Sequence, residues 1–144
     1  MYGIFTKSIH VEKLISYLNT IKIDYLISTK KDEVYSSNFN IGVSYCFPWI
    51  VDVDYPNKDE RRWFNYHPAP LPEYPGPTNY VDAMRNQVMS FGVTLHQMTQ
   101  EVDRGEIIKQ LHFPLRSVPV HTSELGVICH YYLFQLFKET IEKL

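Results

Sequence analysis

Five prolines fall within ten residues, Pro68, Pro70, Pro72, Pro75 and Pro77, and no regular element can run through them. Proline lacks a backbone N–H and fixes φ, so this segment lies inside neither a helix nor a central strand. It divides the chain in two, and residues on both sides must contribute elements to a common core. Residues 63–66 have strand character, so the prolines mark an abrupt strand end.

Ahead of the prolines, residues 2–5, 24–28 and 41–47 are short apolar runs that read as strands. Between the first two, Val11, Leu14, Ile15 and Leu18 repeat at helical spacing, with Ser8 placed to cap that helix through its hydroxyl. Residues 30–38 are polar and have room for one or two helical turns. Residues 51–62 are charged, carry Pro56 and Asn57, and read as a surface loop with Asp52, Asp54, Asp59 and Glu60 on its solvated face.

After the prolines, a short helix is expected over 78–86. Residues 91–96 alternate with period two, as a half-buried strand does, and 107–113 form another. The short link between them suits antiparallel neighbours. Thr122 is placed to cap a last helix whose apolar stripe is Leu125, Ile128, Tyr132, Leu136 and Ile141. This order predicts one domain over residues 1–144, an α/β sandwich around a mixed sheet.

Composition removes several classes. Fourteen basic and sixteen acidic side chains leave a net charge of −2, which argues against nucleic-acid binding through clustered Lys and Arg. The longest uncharged run, 36–51, contains Asn38, Asn40 and Pro48 and falls short of the ~20 apolar residues of a membrane span. With only Cys46 and Cys129 there is no disulfide framework, and a reducing, cytoplasmic setting is expected. There is no phosphate-cradling Gly-x-Gly-x-x-Gly. His96 and His112 lack metal-ligand spacing, and His10, His121 and His130 read as surface or helix residues, so no metal is expected.

The chemistry concentrates around the strand end. Period two places Asn65 and His67 on one face, with Cα atoms about 6.5 Å apart. An amide donor and an imidazole would then face one carbonyl, beyond the carboxyl end of a strand where α/β sheets bind ligands. By spacing alone, an Asn-Tyr-His run is more often a strand end capped by polar residues than a catalytic pair. Asp103, in Val102-Asp103-Arg104-Gly105, has the composition of an ordinary turn but could bring a carboxylate to the same place.

Three motifs in order resemble the formyltransferase catalytic domain: Asn65-Tyr66-His67-Pro68-Ala69-Pro70-Leu71-Pro72 with Gly76, Gly92-Val93-Thr94-Leu95-His96, and Asp103-Arg104-Gly105-Glu106-Ile107-Ile108. The match covers about residues 41–144. The resemblance implies a Rossmann-like three-layer sandwich with a mostly parallel mixed sheet and an antiparallel hairpin near the C-terminus. It also implies formyl transfer from 10-formyltetrahydrofolate without a metal, with Asn65, His67 and Asp103 as the catalytic set. By the same resemblance Tyr45, Phe47, Trp49, Ile50 and Val102 line the pterin pocket, though core packing explains each side chain as well. Tyr74, Gly76, Asn79 and Tyr80 fall on the acceptor side.

The region before the Asn-x-His strand is shorter than in that family and lacks the Gly-Ser-Gly turn of its purine-pathway members. The extension of its tRNA-directed members is also missing. The wording Pro-Ala-Pro-Leu-Pro-Glu-Tyr is similar to the sugar enzymes, so the acceptor implied is a nucleotide-linked amino sugar. The alternatives are a formyltetrahydrofolate hydrolase and a shortened remnant kept as a binding module. Tyr131, Tyr132, Phe134 and Phe137 on the last helix exceed what one face needs, which fits either a homodimer contact or a broad core contact.

Overall fold

The strands of this chain join in one sheet whose direction changes at the proline segment. The computed structural model describes residues 1–54 and 61–144; part of the expected charged loop, with Asp59 and Glu60, lies outside the described residues. In chain order the elements are β1 (Tyr2–Thr6), α1 (Ser8–Leu18), β2 (Tyr25–Ser28), α2 (Glu33–Ser36), β3 (Ile41–Tyr45) and β4 (Arg62–His67). They continue as α3 (Asn79–Arg85), β5 (Ser90–Gln97), β6 (Ile107–Pro114) and α4 (Thr122–Thr140), followed by one 3₁₀ turn at Ile141–Lys143. The sheet order is β2-β1-β3-β4-β5-β6, with β1 to β4 mutually parallel and β5 antiparallel to both its neighbours. The mostly parallel mixed sheet with a terminal hairpin is the expected one.

Alternation along the strands sorts the core into two clusters. Ile4, Val43, Tyr45, Phe64 and Tyr66 face α1 and α4, packing on Leu14, Leu18, Leu133, Leu136 and Phe137. Phe5, Phe39 and Trp63 face the other way, with Val34 of α2 and Val51. Asn65 and His67 share a parity with Trp63, so they emerge on that second face.

Several local expectations are corrected. Ser8 and Thr122 are the first residues of their helices rather than the caps; Lys7 and His121 hold the cap positions with no side-chain cap bond. At α4 the Glu124 carboxylate instead accepts the Val120 N–H at 3.0 Å. The strand β5 is buried on both faces, not half-buried, because α4 covers one side and the proline segment the other. The buried stripe of α4 runs through Leu125, Cys129, Leu133, Leu136, Phe137 and Thr140, leaving Ile128 and Tyr132 at its edges. Tyr132 stacks on Phe113 with ring centroids 4.1 Å apart, and Phe134 meets Tyr17, so core contact absorbs these aromatics while Tyr131 stays exposed.

The proline segment is held in place by Thr94 and Gln110. The Thr94 hydroxyl donates to the Ala69 carbonyl at 2.9 Å and accepts the Leu71 N–H at 3.1 Å. Gln110 on β6 donates to the Leu71 carbonyl at 2.6 Å. These bonds satisfy backbone groups that no strand partner could reach in a proline-broken segment. Replacing Thr94 by Val keeps the shape and leaves a buried N–H and a buried carbonyl unpaired. Thr94→Val is therefore expected to lose about 1–3 kcal/mol, read as a lower urea midpoint at unchanged slope.

Candidate functional site

β4 ends at the carboxyl edge of the parallel strands, and the site is built there from four side chains. Antiparallel pairing sets Asn65 opposite His96. Asn65 Nδ2 lies 3.1 Å from His96 Nε2 and donates to Asp103 Oδ1 at 3.4 Å. Asp103 Oδ1 stands 3.6 Å from His67 Nδ1 and 3.5 Å from His96 Nε2. The sequence therefore named three members of this group and missed the fourth. His96 lacks metal-ligand spacing, yet its register opposite Asn65 across an antiparallel pair is a geometry the two strand motifs contain. A register shift between Leu95 and His96 re-aims that end of β5.

The Asp103 loop is shaped to deliver its carboxylate. Asp103 has a positive φ of 56° and accepts the Gly76 N–H through Oδ2 at 2.9 Å. At Gly105 an added Cβ would sit 1.7 Å from the Gln97 carbonyl oxygen, so only glycine lets the hairpin close this tightly. Gly76 itself has φ of 75° and is tied to α3 by Asn79, which donates to its carbonyl at 2.7 Å.

The electrostatics follow from burial. The side chains of His67 and Asp103 are each 7% exposed. Burial pulls the His67 imidazole below its ordinary value, opposed in part by the nearby Asp103 carboxylate and by the bond to Tyr74. His67 Nε2 donates to the Tyr74 carbonyl at 2.9 Å, which leaves Nδ1 as the lone-pair nitrogen beside Asp103. For Asp103, burial acts upward, but His96, His67 and the Gly76 N–H outweigh it and hold the carboxyl at about 2. The result is an ionised carboxylate beside a neutral imidazole whose free nitrogen is poised to gain a proton.

A cavity of about 520 Å³ opens on this wall, within the range of small-molecule sites. Asn65, His67 and Asp103 line it, as do Phe47, Trp49, Ile50, Val102, Gly76, Asn79 and Tyr80. Tyr45 does not: its ring is buried against Tyr66 and Phe137, on the opposite face of the sheet. Tyr74 does not line it either; it contributes its carbonyl to His67, while its ring packs on Phe91. His10 and His130 lie on helices α1 and α4, in keeping with a surface-or-helix reading, but His10 is buried, and with His130 and Cys46 it forms a cluster of possible metal ligands where no metal was expected. His121 is exposed, as expected.

Fold and site together define an α/β protein carrying an Asn–His–Asp group at the carboxyl edge of a mixed sheet. A family model described as formyl transferase matches residues 38–124, more than half of the chain, and the chain belongs to that family. It is 30% identical over 124 residues to the bifunctional polymyxin resistance protein ArnA of Wigglesworthia glossinidia brevipalpis, covering 84% of this chain and 17% of that protein. It is 37% identical over 54 residues to phosphoribosylglycinamide formyltransferase of Escherichia coli, covering 38% of this chain and 26% of that enzyme. The chain thus spans well under a third of the length of these relatives. An N-formyltransferase from Helicobacter canadensis, solved with folinic acid and dTDP-3-aminofucose, has a TM-score of 0.77 at 22% identity, over 99% of this chain and 62% of its own. Phosphoribosylglycinamide formyltransferase from Bacillus halodurans gives 0.80 at 17%, over 99% and 93%. At these identities the two structures show a shared fold. Among the described residues no helix is long and apolar enough to cross a membrane.

The depressed carboxyl has a consequence for acid stability. Asp103 titrates near 3.9 when unfolded and at about 2 when folded. Its contribution is complete above pH about 4 and is lost as the pH falls towards 2. His67 acts in the same direction at higher pH, because its folded value also lies below its unfolded one. Urea unfolding measured as a function of pH should show a flatter profile between pH about 4 and 2 for Asp103→Asn than for wild type. Equal slopes in the two proteins would refute the arrangement.

Proposed function

We propose that this chain moves a formyl group from 10-formyltetrahydrofolate to the amine of a nucleotide-linked amino sugar. The observation that carries the reading is the convergence of Asn65, His67 and Asp103 on one cavity wall in a chain of the formyl transferase family. Phe47, Trp49, Ile50 and Val102 supply an apolar flank suited to a pterin ring, and the Gly76–Tyr80 side is left for the acceptor. The sugar acceptor is supported by the likeness to the Helicobacter canadensis protein, whose crystal held an aminofucose nucleotide.

The chemistry is amine attack on the formyl carbon, which develops negative charge on the carbonyl oxygen. Asn65 is the donor to that oxygen. Its amide has a well-made contact to His96 at 3.1 Å and a long bond to Asp103 at 3.4 Å, so one hydrogen can be redirected with little loss. Such a contact strengthens only as the charge appears, which is what lowers a barrier. His67 Nδ1 takes the amine proton, since Nε2 is already committed to the Tyr74 carbonyl. The imidazolium that results faces Asp103, whose charge favours it. That proton then passes to the leaving folate nitrogen, releasing tetrahydrofolate.

The direct test measures tetrahydrofolate release against a panel of nucleotide-linked amino sugars. Release that requires one of them supports the reading; release with no amine present marks a hydrolase, and failure to bind any folate marks a binding module. His67→Ala is expected to lower turnover by ~10²–10⁴-fold, and Asn65→Ala by roughly 10²–10³-fold. The acid limb of kcat/KM should fall below the ordinary histidine value of about 6.5, because burial depresses His67. Asp103→Asn should lower the rate and move that limb to still lower pH, because the charge that favours imidazolium is gone. A limb that moves upward would overturn the role given to Asp103.

A further inference from the structure

Cys46, His10 and His130 come from three different elements, the turn after β3, helix α1 and helix α4, and meet at one point. Their ligand atoms all lie within 4.8 Å of one another, and Cys46 Sγ is 4.0 Å from His130 Nδ1. The His10 and His130 rings are 4.9 Å apart. His10 is only 4% exposed, and its ring packs edge-on against Tyr45 as well as beside His130. Cys46 sits at a positive φ of 52°, a conformation that non-glycine residues seldom hold. Cys46 and His130 also line the cavity that holds the Asn65–His67–Asp103 wall, and His10 stands next to them.

We propose that Cys46, His10 and His130 bind one zinc-class divalent ion, with the fourth coordination position open to the cavity. One thiolate and two imidazoles form a borderline-soft set that suits zinc or cobalt, and the cluster offers no carboxylate for calcium or magnesium. Tetrahedral bonds of about 2.3 Å to sulfur and 2.0–2.1 Å to nitrogen place such ligand atoms about 3.3–3.6 Å apart. The observed spacing, within 4.8 Å, is wider than this, so the three side chains close in on the ion as it binds. Three protein ligands with one open place is the pattern of zinc sites that take an exogenous oxygen.

The charges around the cluster decide what fills that place. Burial pushes the Cys46 thiol up to about 12, and Lys7 and Lys13 oppose this only in part. Burial also disfavours the imidazolium forms of His10 and His130, and Lys13 and Lys7 add to it. As the metal–sulfur bond forms, the Cys46 S–H bond breaks and its proton goes to solvent. The thiolate offsets one positive charge of the ion, and the lysines favour an anionic oxygen in the open position.

The test uses the reduced full chain titrated with cobalt(II), then zinc(II). The expected result is one equivalent bound, a thiolate-to-cobalt charge-transfer band with tetrahedral visible bands, and loss of both on adding zinc. Cys46→Ser should abolish the charge-transfer band although Cys129 is retained. His130→Gln, which leaves the β3 turn untouched, should weaken binding by about 100-fold or more, since even outer-shell partners of a metal are worth 10–100-fold. If Cys46→Ser does not fold, the His130→Gln affinity decides alone. Azide should shift the visible bands by entering the open position. The proposal is overturned by the absence of a charge-transfer band, or by unchanged affinity in His130→Gln. An azide-insensitive spectrum overturns the open position. All of these are readings of metal binding, so their failure leaves the formyl-transfer reading standing.

Discussion

The buried Asp103 carboxylate is the constraint around which the site is organised. A carboxylate removed from water is strongly unfavourable unless it is paired and hydrogen-bonded. The Gly76 N–H, the Asn65 amide, His67 and His96 all face it. Each partner needs a different part of the fold. Gly76 requires the proline segment to turn back over the sheet, Asn65 and His67 require the end of β4, and His96 requires the antiparallel register of β5. A change in sheet direction beside the proline segment is therefore what brings three separate stretches of sequence to one anion.

This dependence explains why the proline segment is so tightly fixed to β5 and β6. Proline removes donors from the backbone, so residues 68–77 cannot be held by a ladder. Thr94 and Gln110 substitute for it by bonding Ala69 and Leu71 directly. The same segment then presents two backbone groups to the site, the Tyr74 carbonyl and the Gly76 N–H. These select the protonation states of His67 and Asp103. The carbonyl fixes the proton on Nε2 and the amide favours the carboxylate, so the arrangement is set before any ligand arrives. Fixed dipoles of this kind need no reorganisation during a reaction.

Much of this was legible in the sequence, for identifiable reasons. The face shared by Asn65 and His67 follows from period two, which the backbone enforces. The sheet class follows from element order, and the hairpin from a short connection. What could not be read depends on the third dimension. The family resemblance implies Tyr45 as a pocket residue, yet Tyr45 is the last residue of β3 and faces α1 and α4, and the positive φ of Cys46 breaks the period-two pattern before Phe47. His10 reads as a surface or helix residue, and only the packing of α1 against α4 buries it beside His130 and Cys46. Ser8 and Thr122 have the right chemistry for caps but lie one residue inside their helices, where a hydroxyl no longer reaches the free amides of the first turn.

The two histidine groups show how one cavity can hold imidazoles in opposite circumstances. His67 faces a carboxylate, so protonation creates a favourable pair and the ring can cycle between charge states. His10 and His130 face Lys7 and Lys13, and a proton there adds a like charge. Burial first, then His130, and only then Lys13 and Lys7 hold His10 down at about 4. Burial is common to both groups and disfavours the charged ring in each. The sign of the neighbouring charge therefore separates them, making His67 the group suited to exchanging protons and His10 with His130 the pair suited to donating electron density to an electrophile.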